Sequence, residues 1–331
     1  MKKEEIFEAA LADKARLKEA RGETQLRQAY GVVEPGKSRI SASRFDMNRV
    51  WKLMDGAIDF HVHSKPDAYM PTSFDDFEMA KDACRVGMKA IVFKCHSMSS
   101  ARSAYFVQKM IDQWAKENNR KSVDIFGGVV LNYCVGGLNP EAVNVCHRVG
   151  GKFVWLPNLD ASFHRKVMGT EGGIEVLDEN DNIVPPLKEI FAMIAEVDMI
   201  LAMGHQSTKE RFILIDEAKK FGIKRIEVIH PNQVTCKMTV EQMKICADKG
   251  AYIGYYSSNF RPLQWSWDEF MQVYKTVGPD RIIAATDTGI FMSPSPVEAM
   301  RLYITGMLVR DVPDKDVEKM VKTNPSTLLY S

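Results

Sequence analysis

The sequence predicts a (β/α)₈ barrel. Eight short apolar runs with the length of buried strands alternate with amphipathic helical stretches, over the roughly 250 residues that such a barrel needs. Polar side chains that bind metals follow nearly every run. In a barrel all strand ends converge on one site, whereas in a doubly wound open sheet, the alternative topology, they spread along an edge. The barrel therefore explains the pattern better.

The predicted strands are Ala57–His63, Ala90–Cys95, Asp124–Leu131, Lys152–Leu156, Met199–Met203, Arg225–Ile229, Ala251–Tyr255 and Arg281–Ala285. The helices between them include 74–86 and 208–221, whose apolar residues fall near one stripe. Glycines stand between a helix and the next strand, as expected of helix C-caps, at Gly87, Gly150, Gly222 and Gly250.

The N-terminal residues have a different composition. Residues 1–30 are highly charged and favour a helix, and 31–43 contain Pro35, Gly36 and several serines, which is typical of a linker. We therefore expect an N-terminal helical arm and linker over residues 1–45 and the barrel over 46–331. The apolar stripe of the arm is thin, so the arm is either solvated or packs on the barrel or on another subunit in a homo-oligomer.

Composition excludes several classes of function. The chain of 331 residues is 45% hydrophobic and 26% charged, which is ordinary for a globular protein. A net charge of +1 gives no field that would attract nucleic acid or an anionic membrane. The first residues are too charged for a signal peptide, and no apolar run is long enough for a membrane span. The six scattered cysteines indicate reduced thiols, and hence a cytoplasmic protein.

The first predicted strand ends in a histidine pair. Because side chains alternate along a strand, Asp59, His61 and His63 are expected on one face. Two imidazoles side by side at a strand end suit one divalent cation.

Polar residues follow the other predicted strands as well. They are Lys94 and His96 after strand two, Asn132 after three, Asn158 after four, His205 after five, His230 after six, Asn259 after seven and Asp287 after eight. Five of the seven histidines thus stand at predicted strand ends, and only His147 and His164 lie elsewhere. Four histidines and one aspartate converging on the carboxyl end of a barrel describe a transition-metal site with one or two ions.

This order of residues resembles the amidohydrolase superfamily. The match is His-x-His on strand one, one His on each of strands five and six, and Asp on strand eight, which here are His61, His63, His205, His230 and Asp287. The segments 59–67, 87–96, 204–207 and 296–299 resemble a hydrolase-like branch of the superfamily, and residues 324–326 resemble its C-terminal Asn-Pro-Ala-like turn. The resemblance implies those five residues as metal ligands.

The sequence departs from the superfamily at strand four. Members with two metals usually bridge them with a carboxylated lysine or a glutamate there, but residues 152–158 offer neither at their carboxyl end. Lys94 is the only lysine at the carboxyl end of a predicted strand. It either becomes the bridge after carboxylation or remains a cation that holds an anionic substrate. With no bridge, one metal is held by His61, His63, His205 and Asp287.

The function expected from these residues is that of a metal-dependent hydrolase with bound Zn²⁺ or Mn²⁺. It would cleave an amide, cyclic imide, lactone or ester of a small molecule. Asp287 would move the proton of the attacking water, and His230 would bind a second metal or stabilise the oxyanion. Lys94 and His96 would position the substrate. The alternatives are a decarboxylating lyase of the same superfamily and an inactive binding protein.

The remaining predictions concern two asparagines and one long segment. Asn158 and Asn259 are predicted to contact substrate. The long segment 159–186 contains two short runs that are expected to pair as a hairpin flap. His164 within this segment either contacts substrate or lies at the surface, and the surface position is the preferred expectation.

Overall fold

All the paired strands run parallel in the computed structural model, which describes residues 46–257, 266–291 and 293–331. One sheet has the order β1 (Ile58–Val62), β2 (Ala90–Phe93) and β3 (Asp124–Phe126). The other has the order β4 (Gly128–Val130), β5 (Phe153–Trp155), β6 (Ile200–Met203), β7 (Ile226–Ile229), β8 (Tyr252–Tyr256) and β9 (Ile282–Ala285). Each predicted run overlaps at least one strand, and β8 extends one residue beyond its predicted run. The predicted arm over 1–45, and Asn259, lie outside the described residues.

The third predicted strand is broken into β3 and β4 at Gly127. A Cβ atom at Gly128 would lie 2.3 Å from the carbonyl oxygen of Phe153, and one at Gly127 would lie 2.7 Å from the backbone of Ser100. The chain therefore approaches its neighbours more closely here than any residue with a side chain allows. In the amino-acid sequence, the adjacent glycines Gly127 and Gly128 mark the position of this break.

The first and last strands meet at their carboxyl ends. Val62 forms an isolated parallel bridge with Thr288. The amide of Asp287 donates to the carbonyl of His61 over 2.8 Å, and the amide of His63 donates to the carbonyl of Thr288 over 2.8 Å. These bonds fix the backbone of the histidine pair against the segment that follows β9.

Helices connect the strands. They are α1 (Met47–Met54), α2 (Asp76–Arg85), α3 (Ala101–Glu117), α4 (Pro140–Arg148), α5 (Ser162–Val167), α6 (Pro185–Glu196), α7 (Thr208–Lys220), α8 (Val240–Asp248), α9 (Trp267–Val277), α10 (Pro296–Leu308), α11 (Asp314–Glu318) and α12 (Asn324–Tyr330). Short 3₁₀ turns span Tyr133–Val135 and Pro279–Arg281, and a π-helical turn spans Lys319–Thr323. The two predicted helices correspond to α2 and α7, each of which begins with a capping box.

Both faces of the strands are buried, as in parallel sheets covered by helices. In β2, Ala90 and Val92 join one apolar cluster, while Ile91 and Phe93 join a second cluster with the helices. Leu328 of α12 belongs to the first cluster, and its carbonyl accepts a hydrogen bond from Arg225, just before β7. The C-terminal helix thus covers the amino ends of the strands, opposite the predicted site. No helix of the described residues has both the length and the apolar composition to cross a membrane.

Candidate metal centre

His61, His63 and Asp287 form the tightest group of metal-binding side chains. One carboxylate oxygen of Asp287, Oδ1, lies 3.0 Å from Nε2 of His63 and 3.3 Å from Nε2 of His61. One ligand atom from each residue lies within 4.8 Å of the others, and all three residues are buried. The spacing is set by the backbone bonds between the ends of β1 and β9.

The end of β1 departs from a regular strand. Its pairing with β2 shifts register between Asp59 and Val62. Phe60 packs against Phe153, and His61 packs against Trp155. Phe60, Phe153 and Trp155 belong to the apolar cluster that also contains Ala90 and Val92, so two consecutive residues, Phe60 and His61, contact that cluster. The strict alternation expected for Asp59, His61 and His63 is therefore interrupted. Asp59 instead accepts hydrogen bonds from the amide and hydroxyl of Thr286, at 2.9 and 2.5 Å.

The charges of this group are those that a cation requires. Burial lowers the pKa of His61 well below its usual value, so its ring is neutral. Burial alone would raise the pKa of Asp287, but its electrostatic interaction with the nearby His61 imidazole and a hydrogen bond with His63 outweigh burial and hold that pKa well below the usual range. An anionic oxygen of Asp287 thus faces the neutral imidazole of His61.

The residues also fit a metal by their lack of other partners. Both ring nitrogens of His61 and Nδ1 of His63 are buried and form no hydrogen bond with any residue that the structure describes. Burying a polar atom without a hydrogen-bond partner costs free energy, so these atoms indicate that a ligand or ion binds here. Two imidazoles and one carboxylate are the donor set of many divalent-metal sites.

His205 and His230 lie beside this group, at the ends of β6 and β7. Their ring centroids are 4.9 Å apart, and the ring of His230 lies 6.1 Å from that of His61. Burial lowers the pKa of both histidines well below the usual value. Nδ1 of His230 faces the sulfur of Cys236 at 3.7 Å. The structure therefore brings together all five residues that the resemblance implied as ligands.

Two of these residues have a strained backbone. His230 has a φ angle of 32° and Asp287 has a φ angle of 52°. Both angles lie in the left-handed region, which residues other than glycine rarely adopt. Each such residue costs on the order of 1–3 kcal/mol, and such residues cluster at functional sites. The surrounding fold holds both in place: His230 directly follows the fully buried strand β7, and Asp287 is separated from the fully buried strand β9 only by Thr286.

His96 belongs to a second group, with His63 and Asp67, in which one ligand atom of each also lies within 4.8 Å of the others. The rings of His63 and His96 stack at 4.7 Å, and Nδ1 of His96 lies 3.5 Å from a carboxylate oxygen of Asp67. Amides of Tyr69 and Met70 hold the other oxygen of Asp67. Sequence analysis did not select Asp67, although it ends the quoted segment 59–67.

Lys94 directly follows β2 and is buried. Burial lowers its pKa to about 8, against the opposing effects of Asp287 and Glu227. Its ammonium forms no ion pair with a carboxylate of the described residues. Glu227, on β7, accepts a hydrogen bond of 2.5 Å from the hydroxyl of Tyr256. Tyr256 in turn packs edge-on against His61, with ring centroids 4.9 Å apart.

Asn158 is fully buried after β5. Its side-chain oxygen and nitrogen have no hydrogen-bond partner among the described residues. A Cβ atom at Gly204 would lie 2.3 Å from the Asn158 amide nitrogen, so Gly204 is required for the amide to reach the end of β6. Asn132 does not face the centre in this way, because its side-chain oxygen accepts the backbone amide of Asn158 over 3.0 Å.

His164 is placed differently from the surface position expected of it. It lies on α5, and its Nδ1 is 2.8 Å from Nδ1 of His205. Its ring is half-buried, and burial lowers its pKa. The runs around Leu177 and Ile183 pair antiparallel, as predicted for a flap.

Residues 56–254 match a protein family described as a family of unknown function (DUF6282). The chain belongs to the DUF6282 family. The matched segment contains the histidine pair, Lys94, His96, His205 and His230, whereas Asp287 lies beyond it. No curated protein matches this DUF6282 chain in sequence.

Several solved structures resemble this DUF6282 chain in fold. The probable dipeptidase PvdM from Pseudomonas aeruginosa has a TM-score of 0.59 at 11% identity, covering 85% of this chain and 97% of its own. A probable 2-pyrone-4,6-dicarboxylic acid hydrolase from Acinetobacter baumannii has a TM-score of 0.53 at 13% identity, covering 82% and 98%. Amidohydrolase 2 from Bifidobacterium longum subsp. infantis has a TM-score of 0.50 at 12% identity, covering 82% and 97%. These likenesses confirm the resemblance to amidohydrolases at the level of the fold.

Proposed function

We propose that this protein is a metal-dependent hydrolase that acts on a small molecule. The observation that carries the proposal is the buried group of His61, His63 and Asp287, with His205 and His230 beside it, at the carboxyl ends of parallel strands. That end of the strands is where enzymes of this architecture build their active sites. The amidohydrolase-like fold of the chain supports the reaction class.

The proposal includes a closed barrel. The parallel bridge between Val62 and Thr288 supports closure between β1 and β9, and the single residue between β3 and β4 supports continuity between the two sheets. Closure explains why side chains from β1, β6, β7 and β9 surround one point.

A bound divalent cation would supply an acidified water and would polarise the scissile carbonyl. His61, His63 and Asp287 would hold it. The second carboxylate oxygen of Asp287, Oδ2, makes no hydrogen bond to a described residue, and we propose that it accepts the proton of the attacking water and returns it to the leaving group. His230 would stabilise the developing oxyanion or bind a second ion.

Three residues beside the metal centre are proposed to contact the substrate. Lys94 would hold an anionic group of the substrate, because it is buried close to the histidines and without an ion-pair partner. His96, oriented by Asp67, and Asn158, whose amide has no partner, would complete the contacts. An amide, cyclic imide, lactone or ester fits these substrate contacts. The centre would hold one or two ions of Zn²⁺ or Mn²⁺. Zn²⁺ suits the imidazole ligands better than Mn²⁺ does. The cytoplasmic location, the boundary at residue 45 and an oligomer formed through residues 1–45 remain predictions.

Metal content tests the proposal. The His61→Ala/His63→Ala variant should lose the bound metal while its circular dichroism spectrum stays that of a folded protein. His147→Ala, an exposed histidine on α4, is the matched control and should keep it. An unchanged metal content in the double variant would contradict the proposal. Hydrolysis of amides, imides and lactones, screened with and without chelator, then identifies the reaction, and release of carbon dioxide would instead indicate a lyase.

A further inference from the structure

The backbone around His205 is held by hydrogen bonds from its neighbours. The side-chain oxygen of Gln206 accepts the amide of Gly204 over 2.9 Å, and the side-chain nitrogen of Gln206 donates to the carbonyl of Pro157 over 2.7 Å. The fully buried guanidinium of Arg211 donates to the carbonyl of Gly204. These bonds fix the main chain after β6 against the segment after β5, but they do not set the orientation of the His205 ring.

The ring of His205 contacts His164 instead. The two Nδ1 atoms are 2.8 Å apart, the ring centroids are 4.5 Å apart, and the ring planes are inclined by 32°. This separation is that of a hydrogen bond. Because a hydrogen bond has one proton between its two nitrogens, one imidazole donates and the other accepts.

Backbone bonds hold α5, the helix that carries His164, in its place. The amide of Ser162 donates to the carbonyl of Ile174 over 3.1 Å, and the amide of Ile174 donates to the carbonyl of Asp160 over 2.7 Å. These bonds do not involve the imidazole of His164. Its ring is half-buried, so a change of that side chain should leave the helix where it is.

The surroundings of the two rings favour one direction of the hydrogen bond. His205 is buried, and the ring of His230 lies on its other side with centroids 4.9 Å apart. If His205 were the acceptor, its proton would lie on Nε2, and that nitrogen could not bind a metal. If His205 is the donor, its Nε2 keeps a lone pair, and the proton of His164 lies on the Nε2 of a half-exposed ring, where it can donate to water.

We propose that His164 is a positioning residue, whose Nδ1 accepts a hydrogen bond from Nδ1 of His205 and so leaves Nε2 of His205 free to bind the divalent cation. A metal-binding histidine commonly donates its other ring proton to a carboxylate, a carbonyl or water, and this bond sets both the tautomer and the orientation of the ring. Here an imidazole takes that place. The inference rests on the proposed function, because it takes His205 as a metal ligand.

Two variants of the full chain test the acceptor. His164→Leu removes it, whereas His164→Asn keeps one, because its side-chain oxygen can accept the proton of His205. In chelator-stripped protein titrated with Zn²⁺, His164→Leu should bind zinc about 10–100-fold more weakly than the wild type, the usual cost of losing a hydrogen bond behind a ligand. His164→Asn should restore most of that affinity. His147→Leu, at an exposed histidine of α4, is the matched control and should bind zinc as the wild type does.

The tautomer of His205 is a second readout, and it does not require metal. Long-range ¹H–¹⁵N spectra of metal-free protein with ¹⁵N-labelled histidine distinguish a protonated ring nitrogen from a bare one. The proton of His205 should lie on Nδ1 in the wild type and in His164→Asn, and it should be distributed over both nitrogens in His164→Leu. A merely structural role of His164 would leave this signature unchanged.

The outcomes separate this inference from the proposed function. A wild-type protein that binds no zinc would contradict the proposed function and this inference with it. A wild-type protein that binds zinc, with His164→Leu matching its affinity, would overturn this inference alone. An equal loss in His164→Leu and His164→Asn would also overturn it, since the acceptor would then make no difference. If His164→Leu does not fold, the metal-free wild type decides, because a proton on Nε2 of His205 would refute the assigned direction.

Discussion

Asp59 links β1 to the residue before Asp287, and its replacement should weaken both the fold and the metal centre. Its buried carboxylate accepts the amide and the hydroxyl of Thr286, at 2.9 and 2.5 Å. Asp59→Ala leaves the Thr286 amide buried without a partner, which costs about 1–3 kcal/mol, and removes a second hydrogen bond worth about 1 kcal/mol. The expected loss in the free energy of unfolding is therefore about 2–4 kcal/mol, or a fall in Tm of roughly 4–8 °C.

Thermal and urea unfolding of the chelator-treated protein measure this loss. Asp216→Ala is the matched control: the carboxylate of Asp216 is half exposed and pairs with Lys249 at the surface, so its removal should cost less than about 1 kcal/mol. Because Thr286 precedes Asp287, Asp59→Ala should also bind zinc more weakly, and Asp216→Ala should not. An Asp59→Ala protein with the unfolding midpoint of the wild type would refute the reasoning.

The pH dependence of this effect has a definite sign. Burial raises the pKa of Asp59 from 3.8 to about 7, although the hydrogen bonds from Thr286 oppose that rise. Between those two values the folded protein holds a proton that the unfolded chain has lost, so the stability contributed by this group falls as the pH rises. The free energy of unfolding of the wild type, measured relative to Asp59→Asn, should therefore decrease from about pH 4 to about pH 7. A flat or rising difference would contradict the assigned pKa shift.

Further predictions concern the proton carrier and the thiols. Asp287→Asn with full metal occupancy should lower turnover of a substrate found in the screen by about 10²–10⁴, because the amide cannot accept the proton of the water; turnover near the wild-type rate would show that another group carries it. Among the cysteines, the exposed Cys134 should react first with a thiol reagent, while Cys146 and Cys246 should stay unmodified in the native state, since burial raises the pKa of each to about 11. Mass spectrometry after timed labelling would detect a reversed order.

The ends of the strands were predictable because two local signals agree there. An apolar run predicts a buried strand, and the first polar residue after it is then fixed at the carboxyl edge. His205 follows Met203-Gly204 and Asp287 follows Ala285-Thr286, so the position of each along its strand can be read from the chain. That is why the sequence alone brings His61, His63, His205, His230 and Asp287 to one end of the sheet.

The contacts between loops could not be predicted in this way. The approach of His164 to His205 spans 41 residues and depends on how the segment 172–176 packs on α5, which no periodic pattern reports. The contact of Asp67 with His96 likewise joins two loops. Loop backbones satisfy their hydrogen bonds in many ways, so only the packed structure selects one.

The amino-acid sequence by itself determined the alternation of strands and helices and the face on which the histidines gather, because side-chain periodicity is a property of the local backbone. The tertiary structure alone decided the register shift in β1, the left-handed backbone at His230 and Asp287, and the pairing of Asp59 with Thr286. The register shift depends on the pairing of β1 with β2, and the placement of Asp59 and Asp287 depends on the meeting of β1 with the residues that follow β9. Their geometry follows from the packing of the whole sheet rather than from any local preference of the chain.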